Sequence, residues 1–277
     1  MSFKDIFNID AEVKESAHAR VNLIGEHTDY TGGYVMPTLL SFKNTIEITE
    51  NNTNEFIVYS QYFKEKKEFN DFKKSINNEW VDYIKGCLHI FFEENKISSK
   101  YLNIYISSDI PLERGISSSS ALCVATLKAL NTFFETKIKD PEIAKLAKKV
   151  EFNYIGVSGG IMDQMVSSIG IHGKAFFMNC KNLEYELINF PENWKFCLID
   201  SEVQRNLRDS SYNERFAELQ EAEKKLGVEY LGEVKKENFQ TNKFDNNTIA
   251  KRAKHVVFEN DRAVSYTHLR AHETVGN

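Results

Sequence analysis

Two carboxylates and an imidazole, those of Glu26, Asp29 and His27, crowd one end of RVNLIGEHTDYTGG, residues 20–33, just downstream of Arg20. Such groups either hold a ligand rich in hydrogen-bond donors and acceptors or form a solvated turn ahead of Gly32 and Gly33, and the stretch alone leaves both open. A second chemical signal is PLERGISSSSALCVATLKAL, residues 111–130, where Pro111 and Gly115 shape a turn and a serine run, Ser117 to Ser120, opens an amphipathic segment. The free backbone N–H groups of a first helical turn sit beside the positive end of the helix dipole, which makes this a candidate anion site. No Walker motif or G-x-G-x-x-G accompanies it, so a serine-capped helix is the plain alternative. In the third stretch, GVSGGIMDQMVSSIG at 156–170, paired glycines let backbone come close to a ligand beside Asp163. An aspartate in such a loop is otherwise a turn or cap residue.

These groups need strands and helices to place them. Residues 45–50, 56–63 and 101–107 alternate or run apolar with β-branched and aromatic residues and are predicted strands. Trp80, Ile84, Cys87, Leu88 and Phe91 recur at helical spacing across 79–94, as do Leu122, Ala125, Leu127, Leu130 and Phe134 across 121–134. A further helix opens at Asp140-Pro141, with the aspartate as cap and the proline first inside, and its end delivers Glu151 towards Gly156. Strands are then expected at 174–179 and 195–200, followed by a charged helix from 211 to 226 that Gly227 terminates. The mixed order is α+β, without internal repeats, and a boundary is expected near 170–174.

Composition excludes several classes of function. The 277 residues are 42% hydrophobic and 27% charged, enough for a full core, and no stretch approaches the roughly 18 uninterrupted apolar residues of a membrane span. The N-terminal segment mixes acids and bases without the plan of a secretory signal, so a cytoplasmic protein is expected. A net charge of −5 offers no basic footprint for nucleic acid, although local donors suffice for a small anionic substrate. Cys87, Cys123, Cys180 and Cys197 lie far apart without C-x-x-C spacing and read as small core residues.

Taken together, the three stretches resemble the motifs of the galactokinases, members of the GHMP family of small-molecule kinases. RVNLIGEHTDYTGGYV is similar to that family's sugar-binding signature, PLERGISSSSAL to its phosphate-binding motif, and GGIMDQ to the segment bearing its catalytic aspartate. EWVDYIKG, SSYNER and KRAKHVVFENDR extend the likeness to residue 262. The resemblance implies a two-domain GHMP kinase fold of class α+β. Its N-terminal domain, over 1–172, would be like domain 2 of ribosomal protein S5, and an incomplete ferredoxin-like C-terminal domain would follow over 173–262. It also implies transfer of the γ-phosphoryl of ATP to the anomeric hydroxyl of α-D-galactose. Asp163 would be the base and Arg20 its partner, with Glu26, His27, Asp29, Gly160 and Tyr212 contacting the sugar. Backbone at Gly115, Ile116, Ser117, Ser118 and Ser119 would wrap the phosphates, and Ser119 and Glu151 would hold Mg²⁺. Trp80 falls where the family has an aromatic near adenine, though a core position is equally open. The expected partners are a small-molecule sugar and Mg-ATP, with no nucleic acid, no membrane and a monomeric state.

The sequence departs from the family at three points. Ala17-His18-Ala19 replaces the usual Ala-Pro-Gly before the arginine, which implies a different presentation of Arg20. Gly159 replaces the usual cysteine and is reminiscent of the N-acetylgalactosamine kinases, so that sugar and L-arabinose stand as alternative substrates, and a non-catalytic sugar and ATP sensor as an alternative role. The resemblance ends at Arg262, ahead of the family's third, glycine-rich motif, and residues 263–277 are expected to be an unrelated tail that leaves turnover by this chain open.

Overall fold

The computed structural model describes residues 1–75, 78–111, 114–191, 193–200, 202 and 210–273, of which 210–211 and 266–273 are described by their backbone. A short helix α1 (Phe3–Phe7) leads into β1 (Val13–Asn22), the two-residue β2 (Tyr34–Val35), the long β3 (Pro37–Glu50), β4 (Phe56–Ser60) and β5 (Glu65–Phe69). Helix α2 (Asp82–Asn95), strand β6 (Leu102–Ser108), and helices α3 (Ser118–Phe133), α4 (Asp140–Lys149) and α5 (Met162–Ile169) follow. Strands β7 (Lys174–Asn179) and β8 (Tyr185–Asn189) precede α6 (Ser210–Leu226) and α7 (Asn247–Glu273).

The strands form one sheet in the order β2-β7-β3-β6-β4-β5, with β1 also on β3 and β8 on β7. Among the described residues only β4 and β6 pair in parallel. Inward side chains of the long strands, among them Ile46, Ile48 and Ile104, meet the apolar stripes of α2, α3 and α4, including Leu88, Leu127 and Leu130, in the main core. Helix α3 lies on β1 and β3, so the core that stabilises the fold also fixes α3 against the strand bearing Arg20. A separate core joins α6 and α7 through Leu219, Ala222, Ala253 and Val257.

Most predicted elements are present, with boundaries shifted by a few residues. The strand expected over 56–63 stops at Ser60, and the helix at Asp140 has Lys139 at its cap position, without a side-chain cap. Gly227, at φ 71°, ends α6 as expected, donating to the Lys224 carbonyl at 3.3 Å. Residues 195–200, in contrast, are not a strand: each is exposed, and among the described residues the segment has no partner to complete a ladder. Cys197 lies in it and is exposed, so it is no core residue, while Cys87 and Cys123 are buried.

Strand β7 hydrogen-bonds into the sheet through β2 and β3, and β8 pairs with β7. Among the described residues no strand follows Asn189, and the second core is helical. Helix α7 runs through residue 262 without a break as far as Glu273, with Ala263 buried.

Candidate functional site

Strand β1 carries a register shift between His18 and Arg20, a bulge that re-aims the following side chain. Ala17-His18-Ala19 lies in the strand, with Ala19 buried, and α5 is tied to it by Ser167, whose hydroxyl donates to the His18 carbonyl at 2.8 Å. Arg20 then reaches Asp163 in the first turn of α5. Its Nε donates to Oδ1 at 2.6 Å and its Nη2 to Oδ2 at 2.7 Å, a bidentate pair of the kind that fixes both planes. Nη1 donates to the Gly115 carbonyl at 3.0 Å, and the Arg20 amide to the Ile116 carbonyl at 3.2 Å. Burial alone would lower the pKa of Arg20, but the charge and hydrogen bonds of Asp163 raise it.

Asp163 is also the partner of the serine run. Ser117, in the left-handed region at φ 64°, is the cap residue of α3 yet makes no capping bond; its hydroxyl donates to Asp163 Oδ2 at 2.5 Å. The expected serine cap is thus diverted to the carboxylate, leaving the first-turn N–H groups uncapped by it. Ser119 and Ser120 donate to the two oxygens of Glu151 at 2.7 and 2.8 Å, and Gln164 donates to the second. Glu151 lies in a π-helical turn, Val150–Ile155, which Gly156 closes at φ 85°. Burial raises its pKa against those three donors, and the Oε1 of Gln164 beside it is buried without a hydrogen-bond partner among the described residues.

The loop between β1 and β2 supplies the third part. Thr28, fully buried, places its hydroxyl 2.8 Å from the Gly25 carbonyl and 2.7 Å from that of Tyr34, and His27 sits at φ 66°. His27 Nδ1 is 2.8 Å from the Tyr30 hydroxyl, and its ring lies 6.1 Å from that of Tyr212 on α6. Glu26 is exposed, with Oε1 accepting from Asn22 at 2.9 Å. Asp29 packs on Gly160 so closely that a Cβ there would lie 2.6 Å from the Asp29 carbonyl carbon and overlap its carboxylate.

The carboxyl of Asp29 is pushed up to about 7 by burial and by the neighbouring Asp163 charge, against the pull of Arg20. An acid whose folded pKa is raised binds its proton more tightly in the native state, so its stabilising contribution is whole below 3.8 and is lost as pH rises through about 7. The denaturant midpoint of the ligand-free protein is therefore expected to fall over that window, and to fall less in Asp29→Asn. Equal slopes in the two proteins would refute this account of Asp29.

Arg20, Asp163, the serine run, Glu151, Gln164, Glu26, His27, Asp29 and Tyr212 line one cavity of about 250 Å³, together with Lys148, Arg114 and Arg215. Trp80 does not line it: it stacks on Phe63 with ring centroids 5.7 Å apart and donates to Glu65 at 2.8 Å, whereas Tyr83, in the first turn of α2, does. Gln164 and Ser120 belong to the quoted motifs but received no role from the sequence, because their contact with Glu151 is made only across the fold. Among the described residues no three of His, Cys, Asp and Glu are grouped to hold a metal, so any ion here would draw on a single carboxylate together with hydroxyl and ligand oxygens.

Fold and cavity together define a GHMP kinase: residues 82–170 match the description "GHMP kinases N terminal domain" and residues 1–49 the "Galactokinase galactose-binding signature". The chain belongs to the galactokinase family. It is 36% identical over 253 residues to the galactokinase of Thermotoga petrophila, covering 91% of this chain and 70% of that one. The crystal structure of Lactococcus lactis galactokinase complexed with galactose superposes with a TM-score of 0.87 at 32% identity, over 96% of this chain and 72% of that one. Mevalonate kinase of Methanococcus jannaschii, at 21% identity and a TM-score of 0.58 over 87% of this chain and 79% of its own, shares the fold alone. Among the described residues no helix is long and apolar enough to cross a membrane.

Proposed function

We propose that this chain transfers the γ-phosphoryl group of ATP to the anomeric hydroxyl of α-D-galactose, giving galactose 1-phosphate and ADP. The observation that carries the proposal is the bidentate Arg20 and Asp163 pair, set between the loop of Glu26, His27 and Asp29 and the N-terminus of α3. The anomeric oxygen forms the new bond to phosphorus as the bond to the bridging oxygen of ADP breaks, and the hydroxyl proton passes to Asp163. Oδ2 of Asp163 already accepts a hydroxyl donor, that of Ser117, so the geometry suits an alcohol. Arg20 orients the carboxylate and places positive charge beside the transferring group.

Backbone from Gly115 through Ile116, Ser117 and Ser118 to Ser119 wraps the phosphates at the uncapped helix terminus. Glu26, His27, Asp29, the backbone of Gly160 and the phenol of Tyr212 hold the sugar. Carboxylates accept from adjacent hydroxyl pairs, and epimers that leave such groups unpaired are rejected. The residues also fit Mg²⁺: Ser119 and Glu151 would hold it in the all-oxygen shell the ion prefers, beside the Oε1 of Gln164, unpartnered among the described residues. Bound there, it would neutralise charge on the phosphates. On this reading residues 1–172 bear the sugar and ATP motifs, and 173–262 belong to a second unit joined to the first through β7 and β8.

The test is ADP release by this chain with Mg-ATP and galactose, beside N-acetylgalactosamine and L-arabinose. Galactose is expected to give the highest kcat/KM. A higher value for either other sugar overturns the substrate assignment, and equilibrium binding of sugar and ATP without turnover overturns the catalytic one.

A further inference from the structure

The segment KRAKHVVFENDR forms part of α7, and its Glu259 and Asn260 reach the loop that bears Glu26, His27 and Asp29. Glu259 is 7% exposed, and its Oε1 accepts the Gly25 amide at 2.8 Å and the Glu26 amide at 3.2 Å. Its Oε2 accepts from Arg262 of the same helix at 2.9 Å. Asn260, 8% exposed, accepts the Tyr34 amide at 2.8 Å through Oδ1 and donates through Nδ2 to the Gly232 carbonyl at 2.9 Å. Gly232 in turn donates to the Thr31 carbonyl at 2.9 Å, and His255 Nε2 lies 3.1 Å from the Glu26 carbonyl.

We infer that Glu259 and Asn260 are positioning residues for the sugar: α7 holds both ends of the sugar loop and so sets where Glu26, His27 and Asp29 point. The loop needs such restraint, because His27 occupies the left-handed region, a conformation a non-glycine residue keeps only where its surroundings over-determine it. The restraint is also strong for its size, since a buried carboxylate accepting two amides makes charge-assisted bonds, and removing it leaves those amides unsatisfied. Crowding works in the same direction: a Cβ on Gly33 would come within 2.7 Å of Asn260 Oδ1, so the loop is seated against this side chain with no slack.

The inference rests on the reading of the cavity as a galactose site, and the experiment separates the two. In the full chain, Glu259→Ala is expected to raise both the galactose KM and the galactose Kd by roughly tenfold or more, with the ATP KM within about twofold of the parent value. Glu259→Gln keeps an oxygen for the two amides and should recover part of the loss; Asn260→Ala should resemble Glu259→Ala in sign. A residue that merely docks α7 would move both KM values and the melting temperature together, so parallel changes, or an unchanged galactose KM, overturn the inference. Should Glu259→Ala fail to fold, Glu259→Gln carries the test: a galactose-specific rise supports the inference and its absence overturns it. A parent protein that neither binds nor phosphorylates galactose removes the site assignment itself, and the positioning role with it.

Discussion

Asp163→Asn is expected to abolish galactose-dependent ADP release, with a fall in kcat of roughly a hundredfold to ten-thousandfold, the range a positioned general base contributes. The amide matches the carboxylate in size but cannot take the hydroxyl proton. It also strips Arg20 of its counter-charge, and the Arg20 side chain is only 14% exposed. The Asp163 carboxylate is 25% exposed, so breaking this half-buried pair costs less stability than the ~3–5 kcal/mol of a fully buried one. Melting temperature and binding of both substrates must therefore be measured beside turnover. The expected pattern is a folded protein, at a lower melting temperature, that still binds ATP at the helix terminus but turns over at background rate. Asp163→Asn with parental kcat would overturn the assignment of the base.

Adjacent glycines should respond in opposite ways. Gly160→Ala is expected to lower kcat/KM for galactose about a hundredfold, because a displacement near 1 Å in a catalytic constellation costs that much. The new methyl would meet the Asp29 carbonyl carbon at 2.6 Å as well as its carboxylate, and backbone has no rotamer by which to move aside. Either the sugar loop retreats or the start of α5 shifts, and Asp163 lies only three residues beyond Gly160. Gly159→Ala adds the same methyl where the nearest atom is the Tyr212 hydroxyl at 3.7 Å, an ordinary contact. Its kcat/KM should stay within roughly twofold of the parent. Comparable losses at both positions would show that crowding against Asp29 is not what Gly160 avoids.

Much of the fold is legible in the sequence. Residues 45–50, 101–107 and 174–179 alternate or run apolar as strands do, and the helical stripes of 79–94 and 121–134 face the sheet in the main core, because local spacing alone decides which side chains can share a face. KFCLID at 195–200 has the same strand composition and forms none, since a ladder depends on a partner that local composition does not specify. Trp80 was ambiguous for a related reason: an aromatic suits a core and a ligand pocket equally, and only the packing of α2 sent it to Phe63 and brought Tyr83 to the cavity.

The chain's order of residues by itself determined the three chemical stretches, their family, and the side chains from Arg20 to Tyr212 that now share a cavity. It did so because motif chemistry is short-range: the serine run, the paired glycines and the acidic loop each lie within a few residues. Tertiary structure alone decided the couplings, in which Ser117 leaves its helix cap for Asp163, Gln164 and Ser120 converge on Glu151, and Glu259 crosses 234 residues to hold the Gly25 amide. Hydrogen bonds depend on ångström distances between groups remote in the chain, and those distances exist only once the sheet and its helices have packed.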